Sequence, residues 1–360
     1  MPLQSSGSIS LNDLQGEFGG THPASMSEYR GLDCTPFTGP IKFSDFYGKD
    51  DFISPGGQLF EHSGNSSTKY HQFTVPCGVF LVHIICVGGG GAGGETLWAG
   101  GGGGGGSLTY VNNVDVTPGM TLDVYVGRGG PTGGSRSSGN AGTESYVRKN
   151  GVTIARANGG SPGIGGPGTP NPNAGGNGGT AWNGSSAMSS AGVNASYNSQ
   201  RGGAGGISKD DRAGGGGGAA GYTGQGGAGE SPEYNNSQLP SAFSGAGAGG
   251  RSIRIFGDSY TGAEAGIRGG GVGVFGKGSS GSGQGLGGSG GSDANFVGAG
   301  GTTLANAGGE YGAGGGGWGV DQPGQVIQGI LQGSAGGLSG ADGAVRIIWG
   351  TNRSFPNNAS

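Results

Sequence analysis

The sequence predicts a mainly β protein: a small N-terminal module, then an antiparallel β-sandwich into which a glycine-rich bundle of polyglycine-II helices is spliced. Three observations carry this expectation. Short apolar or alternating runs bounded by turn residues recur from Tyr70 onward and read as strands. A matching run, Ala344-Val345-Arg346-Ile347-Ile348-Trp349, closes the chain far from the others. Between them glycine keeps a three-residue register: Gly215, Gly218, Gly221, Gly224 and Gly227; Gly270, Gly273 and Gly276; Gly285, Gly288 and Gly291; Gly337, Gly340 and Gly343. A flexible linker has no reason to keep a register. Left-handed polyproline-II-like helices turn once per three residues and need glycine where backbones touch.

Composition bounds the alternatives. With Gly 98 and Pro 16 in 360 residues, the chain resembles low-complexity sequence. Its 11% charged residues, with Phe 13, Tyr 11 and Trp 4, argue instead for an ordered chain with aromatic side chains to bury. The net charge of −4 gives no footprint for a nucleic-acid partner. The start, Met1-Pro2-Leu3-Gln4, lacks the basic and apolar regions of a secretory signal. The longest apolar run, Val79 to Val87, is too short to span a bilayer, so no membrane insertion is expected. Collagen is excluded by the broken register and scarce proline. Cys34, Cys77 and Cys86 have no metal-ligand spacing. Held extended, Cys77 and Cys86 would lie roughly 30 Å apart at about 3.3 Å per residue and cannot pair. Free thiols made in a reducing cytoplasm are expected.

The elements follow in order. Residues 1–50 form the N-terminal module. Ser10-Leu11-Asn12-Asp13 resembles a capping box opening a helix over Leu11 to Phe18, closed by Gly19-Gly20. A second short helix is expected from Ser25 to Gly31. Such a module could hardly hold a core alone, so it should dock onto something else. Residues 51–158 carry the sandwich strands, closed by 344–350. These are Tyr70 to Val75, Val79 to Val87 (apolar on both faces), Ser107 to Val111, Thr121 to Val126, Ser145 to Lys149 and Val152 to Ala157. Thr117-Pro118-Gly119 supplies one turn, and Asn150-Gly151 is a strong hairpin signal. Residues 159–343 form the glycine-rich region and 351–360 a C-terminal tail. A run such as Gly100 to Gly106 would span about 20 Å at about 3.1 Å per residue. Neighbouring helices of this kind can pack hexagonally, joined by N–H···O and Cα–H···O contacts.

No motif points to chemistry. Gly271-Val272-Gly273-Val274-Phe275-Gly276-Lys277 imitates the start of a phosphate-binding loop, but Gly278 stands where Ser or Thr must hold magnesium. The histidines, His22, His62, His71 and His83, are scattered without zinc-site spacing. No catalytic residue, cofactor or metal is expected. Trp182, Tyr197, Tyr234, Phe243 and Tyr260 lie in the least glycine-dense stretches. Either they stack on sugars and anchor protein contacts from rigid loops, or they plug the ends of the bundle.

Two groups of residues carry a resemblance. Ser8-Ile9-Ser10-Leu11-Asn12-Asp13-Leu14, Glu17-Phe18-Gly19-Gly20, Ser25-Met26-Ser27-Glu28-Tyr29 and Ile41-Lys42-Phe43-Ser44-Asp45-Phe46-Tyr47-Gly48-Lys49 resemble the N-terminal module of many tailed-bacteriophage virion proteins, common in cyanobacterial phages. The remainder, from Phe73-Thr74-Val75-Pro76-Cys77-Gly78-Val79 to the closing strand and Arg353-Ser354-Phe355-Pro356, is similar to a glycine-rich domain of phage tail fibres. Tip adhesins of T-even phages use polyglycine-II bundles in that way. Receptors of the anaplastic-lymphoma-kinase type share the layout, but this chain lacks their signal, membrane span and kinase. The resemblance implies a non-enzymatic tail-fibre or tail-tip protein in the virion, synthesised in the host cytoplasm. It implies attachment to other tail proteins through Leu11, Leu14, Phe18, Tyr29, Phe43, Phe46 and Tyr47. A host-surface glycan or outer-membrane protein would be the distal partner, Trp182, Tyr197, Tyr234, Phe243 and Tyr260 the candidate contacts, and a homotrimer the assembly. The rival expectation is a purely structural baseplate, neck or head-decoration component.

Overall fold

A computed structural model describes residues 6–18, 42–46, 55–96, 99–134, 137–166, 174–184, 189, 195–208, 213–231, 246–247, 252–254, 264–266, 269–277, 279, 311–315, 318–319 and 339–357. Among the described residues it is mainly β, 31% strand against 4% helix. Helix α1 (Leu11–Phe18) starts where the capping box predicts. The Ser10 N–H donates to Asp13 Oδ2 at 2.7 Å, and the Asp13 N–H donates back to Ser10 Oγ at 3.2 Å. The Ser10 bonds hold the Asp13 carboxyl below its ordinary pKa. Gly19-Gly20 and the helix expected over Ser25 to Gly31 lie outside the described residues.

The strands, in chain order, are β1 (Gly56–Glu61), β2 (Thr68–Thr74), β3 (Leu81–Val87), β4 (Glu95–Thr96), β5 (Leu108–Asp115), β6 (Thr121–Gly127), β7 (Ser145–Lys149), β8 (Val152–Ala157), β9 (Ser196–Gln200), β10 (Ser252–Arg254), β11 (Glu264–Gly266), β12 (Trp318–Gly319) and β13 (Ala344–Trp349). One antiparallel sheet has the order β1-β13-β3-β5-β9 and a second has β2-β6-β7-β8. A third, small sheet joins β10-β11-β12-β4. The closing strand β13 lies between β1 and β3, so the last strand locks the first sheet from within. Between β7 and β8, Asn150 and Gly151 both take positive φ, 52° and 79°, the left-handed pair that a two-residue hairpin turn demands.

The two large sheets pack face to face. Val82, Ile84 and Cys86 of β3, Val345 and Ile347 of β13, and Val111 and Val114 of β5 meet Leu122, Val124 and Val126 of β6, Val147 of β7 and Ile154 of β8. Each such side chain contributes about 1.5–3 kcal/mol when fully buried. The other face of the first sheet is buried as well. Ile85, Val87, Leu108, Tyr110, Ala344 and Ile348 pack on Ala219, Ala220, Tyr222, Val272, Val274, Tyr311 and Phe355. That is why β3 is apolar at every position but His83 instead of alternating.

The second core is roofed by glycine segments that hydrogen-bond in threes. From the segment 101–107, Gly101, Gly104 and Ser107 donate N–H bonds to Ile164, Ser161 and Asn158. Gly102 and Gly105 donate to Gly206 and Gly203, while Gly103 and Gly106 donate to Gly315 and Gly312. Its carbonyls are served the same way. Gly88, Gly91 and Gly94 donate to Ser107, Gly104 and Gly101; Gly176 and Gly179 donate to Gly102 and Gly105; Gly214, Gly217 and Ala220 donate to Gly100, Gly103 and Gly106. Every third residue therefore faces one neighbour, and the segment gives to three neighbours and takes from three. A buried backbone with no side chains must pair its polar groups in this way.

Glycine is required by contact. A Cβ at Gly102 or Gly105 would sit 2.0 Å from the carbonyl oxygen of Gly215 or Gly218, and one at Gly103 would sit 2.2 Å from that of Gly91. The Cα–H bonds point at these oxygens, which gives the Cα–H···O contacts worth perhaps 0.5–1 kcal/mol each. The array is not confined to residues 159–343: the segments 88–94, 100–107 and 139–142 belong to it.

The strand ends give the molecule two poles. Val87, Leu108, Gln200 and Ala344 are in register at one end of the first sheet, and Ser145 and Ala157 pair in the second. At each of these residues the chain passes between strand and glycine segment, so the array stands on that pole. Gly56 pairs with Trp349 at the other end of the sheet, and there the chain enters the sandwich.

Candidate functional site

Of the aromatic residues read as candidate contacts, the structure brings two together. Trp182 and Tyr197 have ring centroids 5.9 Å apart, and both pack half-buried against the sandwich core. The Trp182 N–H donates to Ser199 Oγ at 2.8 Å, and the Tyr197 hydroxyl donates to Asn183 Oδ1 at 3.1 Å. Tyr197 belongs to β9, the edge strand, so this pair plugs the flank of the sandwich, not an end of the glycine array. Tyr234, Phe243 and Tyr260 lie outside the described residues, as do Tyr29 and Tyr47. Among the residues assigned to attachment, Leu14 is fully buried, Leu11 half-buried and Phe43 exposed. Phe18 ends α1, and Phe46 ends the 3-10 turn Phe43–Phe46.

A second aromatic group was missed because attention to residues outside strands passes over it. On the outer face of the second sheet, Tyr70, Tyr125 and Tyr146 occupy one row across β2, β6 and β7. Tyr125 and Tyr146 stack with centroids 4.5 Å apart, and Tyr70 leans on Tyr125 at 5.2 Å. Tyr70 is 49% exposed. The next row carries Gln72, Asp123 and Arg148. The Tyr70 hydroxyl donates to Asp123 Oδ1 at 2.9 Å, which raises the phenol pKa. The Arg148 guanidinium lies 5.0 Å from the Tyr146 ring centre and 5.5 Å from that of Tyr125. Among the described residues no carboxylate pairs with it. Beyond Tyr146, Arg156 forms an ion pair with Glu144. Alternation would have found the row: Phe73, Val124 and Val147 point inward, so Tyr70, Tyr125 and Tyr146 point out.

The segment that imitates a phosphate loop is occupied by its own fold. Val272 and Val274 are buried in the second core. The Gly276 N–H donates to the Tyr222 hydroxyl at 3.0 Å, that hydroxyl donates to the Gly273 carbonyl at 3.2 Å, and the Lys277 N–H donates to the Pro356 carbonyl at 2.7 Å. Those backbone donors face protein, not an anion. Arg346 donates to the Val274 carbonyl at 3.1 Å, its guanidinium 4.2 Å from the Phe275 ring centre.

Asn112 and His83 are buried polar groups that hold the fold. Asn112 grips the tail: its Nδ2 donates to the Phe355 carbonyl at 2.7 Å and its Oδ1 accepts the Phe355 N–H at 3.0 Å. His83 Nδ1 lies 3.2 Å from the same Oδ1 and 3.3 Å from the Asn113 N–H. Burial lowers the His83 pKa, partly opposed by the Asn112 bond. Burial also pushes the Cys86 thiol up, so it is a packed apolar group and not a nucleophile. Among the described residues no group of three His, Cys, Asp or Glu could hold a metal ion, and no helix is long and apolar enough to cross a membrane.

A family model for a glycine-rich domain matches residues 65–350, and the chain belongs to that glycine-rich family. No curated protein matches the chain.

Proposed function

We propose that the chain is a non-enzymatic tail-fibre or tail-tip protein of a tailed bacteriophage. Its N-terminal module attaches to other tail proteins, and its glycine-rich end binds the host cell surface, a glycan or an outer-membrane protein. The observation that carries this reading is polarity: the chain enters the sandwich beside Gly56, and the cross-bonded glycine segments stand at the opposite end. The period-three bonding supports a polyglycine-II bundle. A stiff, preorganised frame loses little freedom on binding, and several copies in one particle, such as a homotrimer, add avidity. No chemistry is required.

A purely structural virion component is the second reading, favoured by the inward packing of Trp182 and Tyr197. Adsorption of particles to host cells in the presence of excess isolated protein separates the two. The adhesin reading expects adsorption to fall as the folded protein is added. Undiminished adsorption would overturn it and leave the structural role.

A further inference from the structure

We propose that the outer face of the second sheet is a binding site for a neutral polysaccharide, lying across the strands on Tyr70, Tyr125 and Tyr146. This inference rests on the surface-binding reading above but uses strand residues of the second sheet, Tyr146 following directly on Ser145, and not the glycine segments themselves. Aromatic side chains on a sheet surface normally cost solubility unless something covers them, and Tyr70 keeps half its surface in water. The row gives an apolar strip edged by phenol hydroxyls, against which the C–H faces of sugar rings pack. Neighbouring strands lie about 4.7–4.9 Å apart, close to the length of one pyranose unit, so successive sugars of an extended chain meet successive tyrosines.

The second row supplies the polar half of such a site. Gln72 is exposed and offers both a donor and an acceptor. Asp123 uses Oδ1 for the Tyr70 hydroxyl, and among the described residues Oδ2 faces no donor. The Arg148 guanidinium is held by rings, not by a carboxylate, so its outer N–H groups remain for a ligand. Guanidinium, carboxylate and amide in one line match the vicinal hydroxyls of sugars, which both donate and accept. Charge selects the class of glycan. Arg148 stands opposite Asp123 in register and Arg156 is paired with Glu144, so the face carries no net charge. An anionic polymer gains nothing from it that a neutral one lacks. The rigidity of the stacked rings limits the freedom lost on binding.

Affinity electrophoresis of the full chain through gels containing dextran, mannan, galactan or alginate tests this. Retardation by at least one neutral polymer is expected, with dissociation constants about tenfold weaker for Tyr70→Ala and for Tyr146→Ala. Leu81→Ala, an exposed change on another sheet, should bind as the parent does. Matching thermal midpoints keep the comparison free of unfolding. Absence of retardation by any neutral polymer, parental binding by both tyrosine variants, or retardation by alginate alone would overturn the inference. Binding of the isolated chain to host cells separates the two readings. If Tyr70→Ala still binds cells as the parent does, this site fails and the adhesin stands; if the parent does not bind cells, the adhesin fails.

Discussion

Replacing Gly105 by alanine tests the glycine array where it is densest. The Gly105 N–H donates to the Gly203 carbonyl at 2.8 Å and its own carbonyl accepts from Gly179 at 2.8 Å. A Cβ there would lie 2.0 Å from the Gly218 oxygen and 3.1 Å from the Ala219 nitrogen. Backbone on both sides leaves no flexible side chain to yield, so the segments must part by about 1 Å or more to restore an ordinary contact. Two buried hydrogen bonds are then stretched, at about 1–3 kcal/mol each. Alanine recovers about 0.4–1 kcal/mol through the stiffer unfolded chain. The net loss is about 1–6 kcal/mol, read as a fall in the urea midpoint. Gly134→Ala is the matched control, since nothing lies within 4 Å of its Cβ, and it should stay within about 0.5 kcal/mol of the parent. Equal midpoints for the two variants would refute the packing argument.

Other expectations follow from single residues. Gly151→Ala keeps open space around the new methyl but forces φ of 79° on an L-residue, costing about 1–2 kcal/mol from conformation alone; no loss in the urea midpoint would contradict the hairpin turn. Burial lowers the His83 pKa from its usual 6.5, so just below that pH the unfolded chain binds a proton that the fold excludes. Its contribution is full above pH 6.5 and is lost as pH falls through the window down to the lowered value. His83→Gln should flatten that part of the stability curve, and an unchanged slope would argue against it. Maleimide labelling of the native chain should reach half-buried Cys77 and spare buried Cys86 until denaturant is added, as peptide masses would report.

Much of the sandwich was legible because its signals are local. The apolar run ending at Val87 marked β3, Asn150-Gly151 marked a hairpin, and Ser10 with Asp13 marked α1. Strand β1 was hidden because Gly56-Gly57 begins it, and its partner β13 lies almost at the other end of the chain. A Cβ at Gly56 would run into the Trp349 ring, which would have to shift to admit it. Strand β9, Ser-Tyr-Asn-Ser-Gln, was hidden because an edge strand with polar residues shows no alternation. The glycine register showed that segments pack in threes, but not which segments meet. With no side chain to distinguish one neighbour from another, the pairing of 101–107 with 158–164 or 201–206 comes from how the strands place their ends. The tyrosine row needs the register of β2, β6 and β7, since Tyr70, Tyr125 and Tyr146 look unrelated along the chain.

The central claim is orientation: the entry end toward the particle, the glycine end toward the host. Electron microscopy of intact particles carrying a gold label either at exposed Leu81, which opens β3 at the entry end, or at exposed Gly134, beside the glycine segments, tests it directly. Both labels are expected on the tail, with the Gly134 label farther from the capsid. Labels on the head, or the Leu81 label outermost, would contradict it.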